Sequence, residues 1–290
     1  MSTPEDLASG FVQRKEEYVH EIDTAIITML EHYQPSRFYH PLLQAMHGGK
    51  RLRPYLLLLI TDILSPRSNS DPMPAAVAVE FIHLESLIHD DILDHDSIRR
   101  AAPAFYLRHD LETAILSADF LLSLILNIVS HYNNARIASI LSVAIGKMCE
   151  GELGELKAIH SNKPLRQEQY IQLVSQKTAA LFEAAAQIGA MLGGAQKTVL
   201  EAITRYGRYV GIAYQIYDDI TDASTPILQL LQAPSGNHFP SRQRSLYLRE
   251  LAASYLALAN QETELVMSNN SSHLLDYTQF IKAQFNAKLL

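Results

Sequence analysis

The chain has one cysteine, Cys149, no tryptophan, and only 12 glycines and 12 prolines among 290 residues. A lone thiol cannot close an internal disulfide, so this is not a disulfide-built scaffold. So few turn-formers leave little room for the many short strands of a sandwich or barrel. Leu, Ala, Ile, Gln and Glu recur instead at helical spacing, and the expected class is all-α. Positive charge is also short: 24 Lys and Arg stand against 31 Asp and Glu, a formal net charge of −7. A generic nucleic-acid binder needs clustered cations to displace counterions from phosphates, so that class is excluded. Any polyanionic ligand has to be held locally.

Long apolar runs are missing as well. The most apolar stretch, FLLSLILNIV from Phe120 to Val129, follows Asp119 and is too short to span a bilayer, so it reads as a core helix and no stable membrane insertion is expected. The first residues, MSTPEDLASG, lack the basic start and apolar run of a signal peptide, which gives an expected cytoplasmic location. NNSS at 269–272 matches an N-glycosylation pattern but, without secretion, reads as a loop.

What is present is 48% hydrophobic residues, enough for a sizeable core, with no low-complexity linker or compositional break. A single domain over residues 1–290 is expected. Periodicity predicts helices at about Pro4–Glu31, Arg53–Leu64, Pro74–Asp94, Asp110–His131, Ala135–His160, Arg166–Leu192, Gln196–Thr221 and Gln243–Asn269, with a last one near the C-terminus. Thr221–Arg242, with STP, APSGN and FP, is the longest expected loop, and long loops are often lids.

The chemistry concentrates in HDDILDHDSIRR, residues 89–100. On a helix Asp90 and Asp94, four apart, project from one face while Asp91 points to the side. Like charges so placed at the end of an apolar run repel one another, and a divalent cation would give them a reason to be there. YQIYDDITD at 214–222 repeats the pattern with Asp218, Asp219 and Asp222. One such motif reads as a solvated helix end; two, each closing an apolar helix, read as a metal site. Oxygen-only ligands favour hard ions, and Mg²⁺ is typically held by one or two carboxylates together with waters and phosphate oxygens. A di-iron bundle would use Glu-x-x-His on two helices; EFIH at 80–83 fits once, without a matching second copy.

Basic residues accompany the acids. HGGKRLRP, His47–Pro54, sets Lys50, Arg51 and Arg53 after two glycines at an expected helix start, where backbone N–H groups favour anions; a basic surface turn is the plainer reading. Arg99 and Arg100 follow the first acid cluster, and Lys177-Thr178 sits in SQKTAALFEAA. No Ser/His/Asp or Cys/His constellation stands out.

GGKRLRP, IHLESLIHDDILDHDSIRR, KTAALF and YQIYDDITD, in this order between about Phe38 and Asp222, resemble the trans-isoprenyl diphosphate synthases. The resemblance implies the all-helical isoprenoid synthase bundle with a central apolar cavity, usually a homodimer. The implied reaction ionises an allylic diphosphate, adds isopentenyl diphosphate to the cation and loses a proton. Carried over by position, Asp90, Asp94 and Asp218 would ligate several Mg²⁺ ions directly, with Asp91, Asp219 and Asp222 in support. Lys50, Arg53, His83 and Arg100 would hold isopentenyl diphosphate, Arg99 and Lys177 would contact the allylic diphosphate, and Thr178 and Gln215 would line the reacting centre.

Departures from the family pattern are equally specific. The family usually has Gly-Lys-Pro-Thr after the arginine pair, where this chain has Ala101-Ala102-Pro103-Ala104. The lysines expected after the second acid cluster are absent; Arg244, or less readily Arg242, would stand in for the second. Four and five residues before Asp90, where the family sets product length, stand Ser86 and Glu85. Serine leaves room, whereas a glutamate in an apolar tail pocket is costly unless protonated or paired, and it reads better as facing a neighbouring helix or subunit. The expected product has fifteen to twenty carbons. Two further readings stand beside the synthase: a non-catalytic or regulatory subunit of a heteromeric synthase, and a terpene cyclase, against which the intact DDITD speaks.

Overall fold

The computed structural model describes residues 4–65, 71–132, 134–222, 225–233, 239–266 and 271–286, without side-chain detail at 4–10, 241 and 286. The chain is all-α. Its helices are α1 (Pro4–Glu31), α2 (Tyr39–Met46), α3 (Leu52–Leu64), α4 (Met73–Leu93), α5 (Phe105–His109), α6 (Leu111–Ser130), α7 (Ala135–Ser161), α8 (Gln167–Val174), α9 (Ala180–Leu192), α10 (Lys197–Thr221), α11 (Pro226–Leu230), α12 (Ser241–Glu262) and α13 (Ser272–Asn286). A short antiparallel hairpin joins β1 (Ile98–Arg99) to β2 (Ala102–Pro103).

The backbone forms two compact units, Met1–Leu58 with Asn69–Ser139 and Leu59–Ser68 with Ile140–Leu290. In the first, α4 packs along α6 and against α1. The apolar side of α4 is wide: Val77, Phe81, Ile82, Leu84 and Ile88 are all buried. α6 contributes Ala114, Ser117, Ala118, Leu121, Leu124, Ile125 and Ile128. α6 is long and apolar enough to cross a membrane by length and composition alone, yet it keeps this buried stripe against its own unit. Its N-cap, Asp110, has φ 72° and accepts the Thr113 N–H at 2.7 Å. In the second unit α10 is the central helix, packing on both α9 and α12, and Arg205 of α10 makes a two-pronged ion pair with Glu262 of α12 at 2.7 and 2.8 Å.

Several expectations are corrected. The helix foreseen over Arg166–Leu192 is interrupted by a π-helical turn, Ser175–Ala179, which inserts an extra residue per turn and re-aims Lys177 and Thr178. Within the expected Thr221–Arg242 loop, Pro226–Leu230 is helical and Leu165 pairs with Leu231 in an isolated bridge; residues 223–224 and 234–238 lie outside the described residues. The helix foreseen to Asn269 ends at Glu262 and continues as a 3₁₀ turn, Thr263–Leu265. Asn269 and Asn270 of the NNSS pattern also lie outside the described residues. α2, α5 and the hairpin were not foreseen; each is too short to show a period.

One charged group is central to the first unit. Arg51, at φ 52°, is buried and its guanidinium meets Asp23 of α1 at 2.7 Å, Glu80 of α4 at 2.6 Å and the carbonyl of Met46 at the end of α2. Gly49 makes room for it, since a Cβ there would lie 2.4 Å from Arg51 Nη1. Arg51→Ala strands the buried Glu80 carboxylate and is expected to lower unfolding stability by about 3–5 kcal/mol, read from urea denaturation.

Candidate active site

The residues singled out by sequence fall into two groups, one in each unit. In the first, α4 ends inside the acid motif: Asp94 is its C-cap residue, its N–H bonded to the Asp90 carbonyl at 2.8 Å. Asp91 turns inward and is 2% exposed, while Asp90 is half-buried and Asp94 exposed. Arg99 Nε donates to Asp91 Oδ1 at 2.6 Å and Arg99 also pairs with Asp96 at 3.2 Å. The N–H of Phe105, the first residue of α5, donates to the same Asp91 carboxylate. Burial pushes the Asp91 carboxyl up and Arg99 pulls it back. Asp91 therefore ties hairpin and α5 to the end of α4.

The hairpin turn is strained where the chain departs from the family pattern. Arg100 and Ala101 both take positive φ, 51° and 60°, the backbone of a two-residue type I′ turn that favours glycine. Ala in this conformation costs about 1–2 kcal/mol. The turn holds Arg100, whose Nη1 donates to the His47 carbonyl at 2.8 Å.

His83, half-buried on α4, sits among arginines. Burial, then Arg53, Arg100, Arg51 and Arg99, hold its pKa well below the usual imidazole range, so it is neutral at physiological pH. Arg53 is half-buried and Lys50 exposed at the start of α3. Neutral His83 thus lies within electrostatic reach of four guanidinium groups. Arg51, only 4% exposed between Asp23 and Glu80, is closed off from solvent as well as paired.

The second unit repeats the acid arrangement. Asp222 is the C-cap residue of α10, its N–H bonded to the Asp218 carbonyl at 3.0 Å. Asp219 is 6% exposed, Asp218 half-buried and Asp222 exposed. Tyr170 Oη donates to Asp219 Oδ2 at 2.5 Å, Gln215 Nε2 to Oδ1 at 2.7 Å, and Thr178 Oγ1 to Gln215 Oε1 at 2.5 Å. Burial, with Glu155 and Asp218 nearby, pushes Asp219 up to about 7 against the pull of Tyr170 and Gln215. Tyr170, itself buried against Asp219, is held well above the ordinary phenol range and stays a donor. Lys177 projects from the π turn to Glu152 at 2.7 Å and Glu155 at 3.1 Å on α7. Glu155, Tyr170, Lys177, Gln215, Asp219 and Ile227 line a small pocket. Tyr170, Glu152 and Glu155 were not singled out from sequence. Arg244 donates to the Leu228 carbonyl at 2.7 Å and so pins α11.

Each acid motif thus places carboxylates at a helix C-terminus, where the helix dipole is already negative and cations are favoured. Among the described residues no three His, Cys, Asp or Glu side chains converge closely enough to grip a metal unaided. A hard ion that keeps waters and takes phosphate oxygens needs only one or two carboxylates, so the outward aspartates suit Mg²⁺ shared with a diphosphate.

The polyprenyl synthetase family model matches residues 35–230. A geranylgeranyl diphosphate synthase of Methanosarcina mazei is 39% identical over 213 residues, 71% of this chain and 64% of the relative. A geranylfarnesyl diphosphate synthase of Natronomonas pharaonis is 33% identical over 78% of this chain and 71% of the relative. A solved geranylgeranyl pyrophosphate synthetase from the archaeon Geoglobus acetivorans superposes with a TM-score of 0.80 at 25% identity, covering 94% of this chain and 99% of that one. The chain belongs to the polyprenyl synthetase family and has the helical fold of isoprenoid synthases. Its aligned part spans a little under two thirds of the Methanosarcina relative's length.

Glu85, half-buried on α4, is pushed up to about 7 by burial and by Asp119 on α6. It therefore senses the flank of a neighbouring helix. Because its folded-state pKa lies above its unfolded value, the folded state binds the extra proton, and stability falls as pH rises from about 4.5 through 7. Glu85→Gln removes that loss: the variant should match wild type near pH 4 and exceed it above pH 7 by about 1 kcal/mol after allowing for solvent screening, measured by urea unfolding across pH.

Proposed function

We propose that the chain, as a single polyprenyl synthetase domain, is a trans-prenyltransferase that condenses isopentenyl diphosphate with an allylic diphosphate to give a fifteen- to twenty-carbon product. The observation that carries this is the pair of matched helix ends, each offering two outward aspartates around one inward, partnered aspartate. The Methanosarcina relative is named for a twenty-carbon product and the Natronomonas relative for a twenty-five-carbon one, so the proposed range meets the first and stops short of the second.

Asp90, Asp94 and Asp218 would hold Mg²⁺, with Asp91, Asp219 and Asp222 in support; bound there, the ions spread the charge that develops on the departing diphosphate. Arg99 and Lys177 add fixed positive charge for the same group. Arg53, Arg100, Lys50 and neutral His83 anchor isopentenyl diphosphate, so that its C4 meets the allylic C1 as the C1–oxygen bond breaks. Thr178 and Gln215, locked in one hydrogen-bonded chain, present fixed dipoles towards the carbocation. The C2 proton leaves to the released diphosphate, and no side-chain base is required. Arg244 is engaged with α11, so its substitution for the absent second lysine requires that contact to open.

The outer face of α6, with Leu111, Ile115, Leu116 and Leu126 exposed, supports assembly as a homodimer, and the reading is of a cytoplasmic enzyme without membrane insertion. Incubation with Mg²⁺, labelled isopentenyl diphosphate and C5, C10, C15 or C20 primers should yield elongated products. Asp90→Ala and Asp218→Ala should each reduce turnover at least about 100-fold in a folded protein. Retained turnover in either removes the metal assignment. Diphosphate binding without product from any primer would favour a partner-dependent subunit.

A further inference from the structure

The proposed reaction uses Lys177 but assigns nothing to the two carboxylates that hold it. Glu152 and Glu155 are three apart on one face of α7, and both reach the Lys177 ammonium, at 2.7 and 3.1 Å. The three side chains are only 13%, 17% and 21% exposed, and both Glu152 oxygens are shut off from solvent without a hydrogen bond, so Glu152 meets Lys177 as an ion pair alone. Such a cluster is stable only while its charges face one another.

The approach is built into the backbone. A Cβ on Gly151 would lie 2.4 Å from the Lys177 backbone nitrogen and 2.8 Å from Gln176 Cβ, so α7 meets the π turn at the one residue type that fits. The π turn then fixes two neighbouring side chains at once. Lys177 goes to the glutamates, and Thr178 goes to Gln215 and through it to Asp219. Glu155 and Lys177 share the small pocket with Gln215 and Asp219. An unrestrained lysine would lose rotamer freedom on binding an anion, and a buried one without carboxylates would tend to shed its proton.

We propose that Glu152 and Glu155 form a clamp that holds the Lys177 ammonium in place before the diphosphate arrives. They are positioning residues, acting through Lys177. The inference rests on the reading of Lys177 as a contact to the allylic diphosphate.

The test uses the full chain with Glu152→Gln, Glu155→Gln, Glu155→Asp and the Glu152→Gln/Glu155→Gln pair, each checked for helical circular dichroism. The single Gln variants leave Lys177 one carboxylate, so they report if the double variant fails to fold. Elongation kinetics are measured against each substrate, and Mg²⁺-dependent binding of inorganic diphosphate is followed by calorimetry. Each single Gln variant should lose about tenfold in kcat/KM for the allylic substrate and weaken diphosphate binding by a similar factor. The KM for isopentenyl diphosphate should stay within about twofold, and Glu155→Asp, which keeps the charge, should recover most of the loss.

Unchanged allylic kinetics and diphosphate affinity in the Gln variants would overturn the clamp. Equal losses for both substrates without recovery by Asp would also overturn it, since a merely structural role would give that. If wild type elongates no primer, the transferase reading fails, while weaker diphosphate binding in the Gln variants still supports the clamp.

Discussion

A carboxylate buried near the end of an apolar helix needs a partner for its charge, and this chain meets that constraint twice in the same way. In each DDxxD motif the second aspartate turns inward and is partnered within its own unit: Asp91 by Arg99 and the Phe105 N–H, Asp219 by Tyr170 and Gln215. The last aspartate of each motif caps its helix, and the first lies one turn before it. With the inner charge answered, the outer pair on each helix faces outward against a negative helix terminus. A helix C-terminus favours a cation over further negative charge. The hairpin, α5 and the π turn are arranged around the inner aspartates, which is why so many site residues sit on short or irregular elements.

The same electrostatic logic separates Arg51 from the basic residues beside it in sequence. Arg51 is adjacent to Lys50 and two residues from Arg53, and by sequence all three belong to one basic motif. The structure commits Arg51 to Asp23 and Glu80, which are 28 and 29 positions away. Arg53 and Arg100 instead surround a neutral His83. A guanidinium only 4% exposed between two carboxylates is a folding element.

Much of this was legible in sequence where the determinants are local. The spacing of Asp90, Asp94, Asp218 and Asp222 announces a shared face on a helix without knowledge of any other element, and long amphipathic helices such as α10 declare themselves by period. What escaped depends on distant partners. The π turn at Ser175–Ala179 packs on α10, Tyr170 meets Asp219 across 49 positions, and Glu152 and Glu155 gain meaning only once α7 lies against Lys177. The hairpin was hidden because its turn, Arg100-Ala101, lacks the glycine that usually marks one.

The division of labour within each motif is tested most directly by thermal unfolding with and without Mg²⁺ and inorganic diphosphate, comparing Asp90→Asn and Asp218→Asn with Asp91→Asn and Asp219→Asn. A ligand that binds only the folded chain raises the midpoint in proportion to its occupancy. The outward variants should keep the ligand-free midpoint and lose the rise, whereas the inward variants should lower the ligand-free midpoint itself, because an amide cannot accept from Arg99, or from both Tyr170 and Gln215, as the carboxylate does. A full ligand-induced rise in the outward variants, or an unchanged ligand-free midpoint in the inward ones, would contradict the account.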